Sequence, residues 1–164
     1  MSAFDPERIL RAFAARHVRY VLVGATAARL QGFPRLTADA DITPARDGEN
    51  LDRLAAALRD LRARVYTESV PEGLPFSCDA DTLARAKLWN LVTDAGRVGI
   101  IFEPSGTRGF EDLVRSAVTF RVFGVEVHAA SLEDILRSKQ ASSRPQDQQD
   151  VIVLREMLKR HGGT

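Results

Sequence analysis

Two aspartates two residues apart, Asp39 and Asp41, have the residue type and spacing that most directly suggest chemistry. If their segment is an extended strand, side-chain alternation places both carboxylates on the same side, roughly 6.5–7 Å apart along the strand. Hard divalent cations such as Mg²⁺ prefer carboxylate oxygens and accept water or phosphate oxygens at their remaining positions. The pair therefore predicts a metal site, with two solvated or helix-capping acids as the alternative.

A glycine turn precedes these acids in the sequence. The apolar run from Val18 to Val23 predicts a buried strand that ends at Gly24. A short helix at about 26–30, which stops at Gly32, follows the turn. Backbone N–H groups at a glycine turn can meet a triphosphate, so a turn beside paired acids suits nucleotidyl transfer.

Length and composition restrict the class of protein. A chain of 164 residues, 45% hydrophobic and 27% charged, predicts one soluble globular domain. A net charge of +1 argues neither for nor against nucleic-acid binding. The single cysteine, Cys78, excludes an intrachain disulfide and a cysteine-based zinc site. Because the sequence has no secretory h-region and no long apolar run, we expect a cytoplasmic protein without a membrane partner.

The remaining patterns predict the elements that must position the acids. Apolar periodicity and turn residues predict helices at about 5–17, 26–30, 50–62, 81–86, 110–116, 131–139 and 145–162, and strands at 18–23, 40–43, 65–67, 88–93, 97–102, 118–123 and 125–129. Asp5 and Ser131 are the expected N-caps of two helices, and Pro44 is expected to end the second strand. The aperiodic segment 68–80 is expected to be an ordered loop over the site. The whole reads as a mixed α/β (α+β) domain.

Two segments carry a resemblance to a known family. GATAARLQGFPRLTADADI, from Gly24 to Ile42, resembles the turn, helix and Asp-x-Asp arrangement of the nucleotidyltransferase superfamily, and specifically of the AbiEii/MenT-like toxin group. KQASSRPQDQQD, from Lys139 to Asp150, is similar to the downstream Lys…Arg…Asp motif of that group. The resemblance implies a mixed β-sheet flanked by helices in a single domain spanning residues 1–164, with C-terminal helices at about 131–161 completing the site.

The same resemblance implies an activity and residue roles. The activity is transfer of a nucleoside monophosphate from NTP to an acceptor, a tRNA 3′ end in several members of the group, with Mg²⁺ or Mn²⁺ as cofactor. A toxin of this kind implies a cognate antitoxin protein as partner. Asp39 and Asp41 would be the metal ligands, and Lys139 and Asp147 would complete the catalytic set. The residues expected to bind NTP are Gly24, Thr26, Arg35, Thr37, Lys139 and Arg144.

Departures from the family pattern leave alternatives open. The superfamily often places a third acid on a later strand, and the position that aligns with it here is Gly99. Glu103 lies on the same predicted face, but roughly 13 Å further along the strand. One alternative is therefore a degenerate, non-catalytic protein that binds nucleotide or a partner, and another is an enzyme that modifies a small molecule or a protein side chain.

The predicted site residues also have plainer roles open to them. Lys139 and Arg144 can be solvated cations at a helix end, and Asp147 and Asp150 can be ordinary acids of a first helical turn. Arg35 can contact phosphate or brace its loop by pairing with Asp39 or Asp41.

Overall fold

The computed structural model describes residues 3–33 and 37–162. Seven strands lie within these ranges: β1 (Tyr20–Val23), β2 (Asp39–Pro44), β3 (Arg64–Val65), β4 (Leu88–Thr93), β5 (Gly96–Ile101), β6 (Val118–Val122) and β7 (Val125–Ala129). Seven α-helices accompany them in the same ranges: α1 (Pro6–Ala15), α2 (Gly24–Leu30), α3 (Gly48–Asp60), α4 (Ala80–Ala84), α5 (Phe110–Leu113), α6 (Leu132–Ala141) and α7 (Pro145–Gly162).

The strands form one mixed sheet in the order β3-β4-β5-β2-β1-β7-β6. The central strand β2 runs antiparallel to β1 and parallel to β5, and β1 runs parallel to β7. The pairs β4–β5 and β6–β7 are antiparallel hairpins, as their turn residues predict. The predicted mixed α/β fold is confirmed, and β2, which carries Asp39 and Asp41, lies inside the sheet with a neighbour on each side.

Amphipathic helices supply the core beneath this sheet. Helix α1 begins at Asp5, whose side chain accepts a hydrogen bond from the Arg8 N–H at 3.1 Å, and α3 buries a stripe of leucines. These helices and the inner strands share one buried apolar cluster, which includes Ile9, Phe13, Leu22, Ile42, Leu54, Leu58 and Ile100. The cluster fixes the inner strands of the sheet, so the acids of β2 stand on a rigid support.

Several predicted strand ends differ from the structure, and two of the differences have a clear physical cause. Strand β1 begins at Tyr20 instead of Val18, because the Val18 N–H donates to the Phe13 carbonyl and still belongs to the end of α1. Strand β2 runs through Pro44, which pairs with Tyr20 on β1. The pairing of β2 with β5 ends at Ile42, so the missing proline N–H interrupts no bond on that side.

The segment 68–80 does not form the expected cover over the acids. Its Leu74 makes an antiparallel bridge to Val65 of β3, at the edge of the sheet. Its Gly73 packs closely against Arg64 and Val92. A Cβ atom added at Gly73 would lie only 2.4 Å from the Arg64 Cβ and 2.6 Å from the Val92 Cγ1. The segment therefore protects a sheet edge, and it contributes no described residue to the cavity that contains the acids.

Candidate active site

The two acids of β2 open into one cavity of about 740 Å³. Both Asp39 and Asp41 line it, as their spacing on an extended strand predicts. Asp41 lies between Val23 of β1 and Gly99 of β5 in the sheet register, and Asp39 lies beside Arg97 of β5. The acids therefore stand on the same face of the sheet at the junction of three strands.

The Asp41 carboxylate fits between two glycines. A Cβ atom added at Gly24 would lie 2.9 Å from the Asp41 Oδ2, and one added at Gly99 would lie 2.3 Å from its Oδ1. Gly24 also has a φ of 65°, a left-handed conformation that side chains of L-residues disfavour. We call this pair of residues the glycine slot. The Asp41 carboxylate lies between the two glycine backbones.

The environment of Asp41 raises its pKa to about 6. Burial is the largest cause, and the neighbouring charge of Asp39 adds to it. The positive charges of Arg144, Arg97 and Lys139 act in the opposite direction without cancelling the effect. Burial and the neighbouring negative charge thus disfavour the ionised form of Asp41, and a cation bound beside it would offset both effects.

Helix α2 contacts the backbone of the first acid. The Thr26 hydroxyl donates to the backbone carbonyl of Asp39 at 2.8 Å. The Gln31 side-chain amide donates to the carbonyls of Ala27 and Ala130, which ties α2 to the end of β7. Thr26, predicted to lie near the triphosphate, therefore holds the backbone at the first acid.

The other residues predicted to bind NTP have different positions. Gly24, Lys139 and Arg144 line the cavity together with the acids. Thr37 is half-buried and, like Thr26, is not among the described residues that line it. Arg35 lies outside the described residues, so its predicted contact with phosphate stays a prediction.

A cluster of paired charges joins α6 to α7 at the cavity wall. The Lys139 Nζ lies 3.0 Å from the Asp147 Oδ1 and 3.0 Å from the Asp150 Oδ2. Asp147 also accepts hydrogen bonds from the Ser142 hydroxyl and the Arg144 guanidinium. The side chains of both acids are only 4% exposed, whereas that of Arg144 is 78% exposed. We call Lys139, Asp147 and Asp150 the α6–α7 clasp.

The clasp gives Asp147 the opposite electrostatic setting from Asp41. Burial by itself would raise the pKa of Asp147, but the hydrogen bonds from Arg144, Ser142 and Lys139 outweigh it and lower the pKa to about 2. The carboxylate is therefore ionised and fully occupied by partners of its own chain. Lys139 and Asp147 line the same cavity as Asp39 and Asp41.

Several residues beside the acids or in the cavity lining were not among the predicted site residues. Arg97 lies two residues before Gly99 on β5, so the period of two indicates its face, but only the sheet register places it beside Asp39. Its guanidinium carbon lies 3.8 Å from the centre of the Tyr66 ring. Further polar residues line the cavity beside β4, after β5, on α6 and after α6: Lys87, Asn90, Ser105, Thr107, Asp134, Ser138, Ser142 and Ser143. Glu103, which the sequence analysis placed on the face of Gly99, lines it as well.

The donor set at the acids fits a hard divalent cation. Among the described residues, no group of three or more His, Cys, Asp or Glu side chains could hold a metal ion. Asp39 and Asp41 bring two carboxylates to the cavity. Mg²⁺ is often bound by one or two carboxylates, with water and substrate phosphates as its other ligands. Asp39 and Asp41 are the residues that would hold such an ion.

No helix within the described ranges has the length and apolar character needed to cross a bilayer.

Comparison with known proteins identifies the fold. The sequence matches no protein-family model and no curated protein. Among solved structures, the chain resembles TM1012 of Thermotoga maritima, assigned as a nucleotidyltransferase, with 20% identity, a TM-score of 0.52 and coverage of 98% of each chain. It also resembles the antibiotic-resistance factor ANT(2'')-Ia, with 20% identity, a TM-score of 0.54 and coverage of 95% of this chain and 82% of that one. The chain thus has the fold of nucleotidyltransferases.

Proposed function

We propose that this protein is a nucleotidyltransferase of the AbiEii/MenT-like toxin kind, which uses Mg²⁺ or Mn²⁺ to transfer a nucleoside monophosphate from NTP to a tRNA 3′ end. The observation that carries the proposal is the meeting of Asp39, Asp41, Lys139 and Arg144 in one cavity of a nucleotidyltransferase fold. The separated motifs that suggested the activity lie in this cavity. Under this proposal, residues 1–164 are one catalytic domain, and the helices at about 131–161 complete its site.

The transfer forms one bond and breaks one bond at phosphorus. An acceptor hydroxyl oxygen bonds to the α-phosphorus, the bond from that phosphorus to the bridging oxygen breaks, pyrophosphate leaves, and the hydroxyl proton passes to solvent. A divalent cation, when bound, supplies charge neutralisation on the phosphate oxygens. Asp39 and Asp41 would hold it. Arg144 is exposed enough to turn toward a phosphate, and Lys139 adds positive potential from a fixed position.

The acceptor and the toxin role rest on the resemblance together with exposed arginines. Arg29 on α2 is exposed, and Arg144 on the cavity wall is exposed as well. Exposed guanidinium groups bind a phosphate backbone through contacts that weaken as salt concentration rises. A cognate antitoxin would act as the partner protein that restrains the activity.

The test is transfer of label from NTP to tRNA. Purified protein is incubated with total tRNA, Mg²⁺ and each α-labelled NTP in turn, and the labelled RNA is separated by gel electrophoresis. We expect label at the 3′ end with at least one nucleotide, and at least about 100-fold less with Asp39→Ala or Asp41→Ala, since a lost metal ligand removes several kcal/mol of transition-state stabilisation. Asp52→Ala, a change at an exposed acid of α3, is the matched control and should keep the activity.

Absence of label with every nucleotide would contradict the proposal. In that case, NTP binding that survives in the wild type would favour the alternative of a degenerate nucleotide-binding protein. Parallel reactions with a panel of antibiotics and with a protein acceptor separate loss of all transfer from transfer to another hydroxyl. Growth arrest upon expression of the wild type, but not of Asp41→Ala, tests the toxin role.

A further inference from the structure

Gly99 stands at the position where nucleotidyltransferases often carry a third acid, yet the chain has no room for an acid there. In the sheet register Gly99 pairs with Asp41 of β2 on one side and with Asn90 of β4 on the other. A Cβ on Gly99 would come within 2.3 Å of the Asp41 Oδ1 and 3.3 Å of its Cγ. Apart from Gly99 and its two chain neighbours, atoms of Asp41 are the only described atoms within 4 Å of that Cβ position. The space beside the Gly99 backbone is thus already occupied by the carboxylate of the second acid.

We infer that Gly99 is a positioning residue for Asp41, and that Asp41 is a metal ligand only because the glycine slot lets its carboxylate lie over the β5 backbone. Because position 99 has no side chain, the Asp41 carboxylate can adopt the rotamer that lies over the β5 backbone. This inference rests on the proposed metal site at Asp39 and Asp41. Under this inference the site requires Gly99, and the absence of an acid at position 99 is not a sign of lost activity.

The two walls of the slot differ in what a substitution would disturb. At Gly24 an added side chain would meet the Asp41 carboxylate and also a φ of 65°, so the backbone itself would be strained. At Gly99 the backbone lies outside the left-handed region and is paired on both sides within the sheet. Alanine therefore suits the Gly99 backbone. The clash falls on the end of a side chain that can rotate, so we expect Gly99→Ala to fold while its Asp41 carboxylate turns away.

Gly99→Asp follows the same logic and separates this inference from the family pattern. If position 99 had merely lost an acid, an aspartate there would improve metal binding. Under the inference, its Cβ and carboxylate displace Asp41, and two charges are forced into the space of one. Gly99→Asp should therefore bind metal more weakly than the wild type.

The experiment measures Mn²⁺ binding directly, by electron paramagnetic resonance of the free ion, for the full chain without nucleotide. We expect Gly99→Ala and Gly99→Asp to raise the Kd by about 10-fold or more, the range found when a residue that orients a metal ligand is lost. Gly48→Ala is the matched control, because a Cβ at that position meets nothing within 4 Å, and it should bind like the wild type. In an Asp41→Ala background, Gly99→Ala should have no further effect, since the atoms it disturbs are gone.

A second measurement covers loss of fold. Urea unfolding should show cooperative transitions for all variants, and any shift of the midpoint caused by Gly99→Ala should vanish when Asp41 is alanine. The inference is overturned if the wild type does not bind Mn²⁺, if Gly99→Ala binds as well as the wild type, if Gly99→Asp binds more tightly, or if Gly99→Ala weakens binding equally without Asp41. Failure of the proposed function has a different signature, in which Mn²⁺ binding depends on Gly99 and Asp41 but no acceptor is labelled.

Discussion

The acid pair on β2 and the α6–α7 clasp use the same chemical groups in opposite ways. Asp41 is half-buried beside a second acid, and its surroundings raise its pKa to about 6. Asp147 is buried, but its hydrogen bonds from Arg144, Ser142 and Lys139 lower its pKa to about 2. A carboxylate whose ionised form is disfavoured by its surroundings is suited to gain a cation, whereas one fully paired within the chain is suited to hold two helices together. The difference predicts a ligand role for Asp41 and a structural role for the clasp.

Removal of the clasp cation should have the largest effect. Lys139→Met leaves Asp147 and Asp150, each 4% exposed, without the ammonium that lies 3.0 Å from both. Breaking a buried ion pair by removing one partner costs about 3–5 kcal/mol, so we expect a loss of that size in the free energy of unfolding measured with urea. Lys159→Met is the control, because Lys159 is 75% exposed and its pair with Glu156 should contribute little. Equal stability of the two variants would remove the distinction between clasp and surface.

Neutralising Asp41 should raise the free energy of unfolding, whereas removing the Lys139 ammonium lowers it. Because its folded-state pKa is raised, the folded protein binds this proton more tightly than the unfolded chain, and stability falls as pH rises from about 4 to 6. Asp41→Asn should therefore be more stable than the wild type by about 3 kcal/mol at pH 8, and most of the gain should disappear near pH 4. Urea unfolding at both pH values, with Asp52→Asn as an exposed control, measures it. A loss of stability of Asp41→Asn at pH 8 would contradict the raised pKa of Asp41 in the folded protein.

The clasp should respond to acid in the reverse direction. Asp147 has a lowered folded-state pKa, so its contribution is complete above about pH 4 and is lost as pH falls toward 2. Asp147→Asn should cost about 2 kcal/mol at pH 7, and the difference from the wild type should shrink steadily below pH 4. Parallel urea titrations of both proteins from pH 7 to 2.5 test this dependence. A constant difference across that range would assign the cost to packing instead of charge.

Arg144 should show the smallest effect on stability. It bonds to Asp147 from the exposed side, with 78% of its side chain in solvent, so Arg144→Ala should cost less than about 1 kcal/mol. If Arg144 contacts phosphate as proposed, the same variant should raise the KM for NTP while its unfolding curve stays close to that of the wild type. A large loss of stability with an unchanged KM would place Arg144 within the clasp and not in the NTP site.

The sequence predicted much of the fold because its signals are local. The Asp5 and Ser131 caps act over three residues, and the Ser131 hydroxyl accepts from the Asp134 N–H at 3.1 Å as its position predicts. The hairpins follow from turn residues between apolar runs. Prediction failed at the ends of β1 and β2 and at segment 68–80, where a neighbouring strand or helix decides which backbone groups are paired.

For the site, the sequence by itself determined that Asp39 and Asp41 share a face, because alternation along a strand is a property of the backbone. The tertiary structure alone decided what surrounds them. Gly24 and Gly99 lie against Asp41 through the register of separate strands. Such contacts follow from the balance of the whole core and leave no pattern in the residues nearby. Whether a glycine marks a missing side chain or makes room for another side chain is therefore set by the residue opposite it on the neighbouring strand.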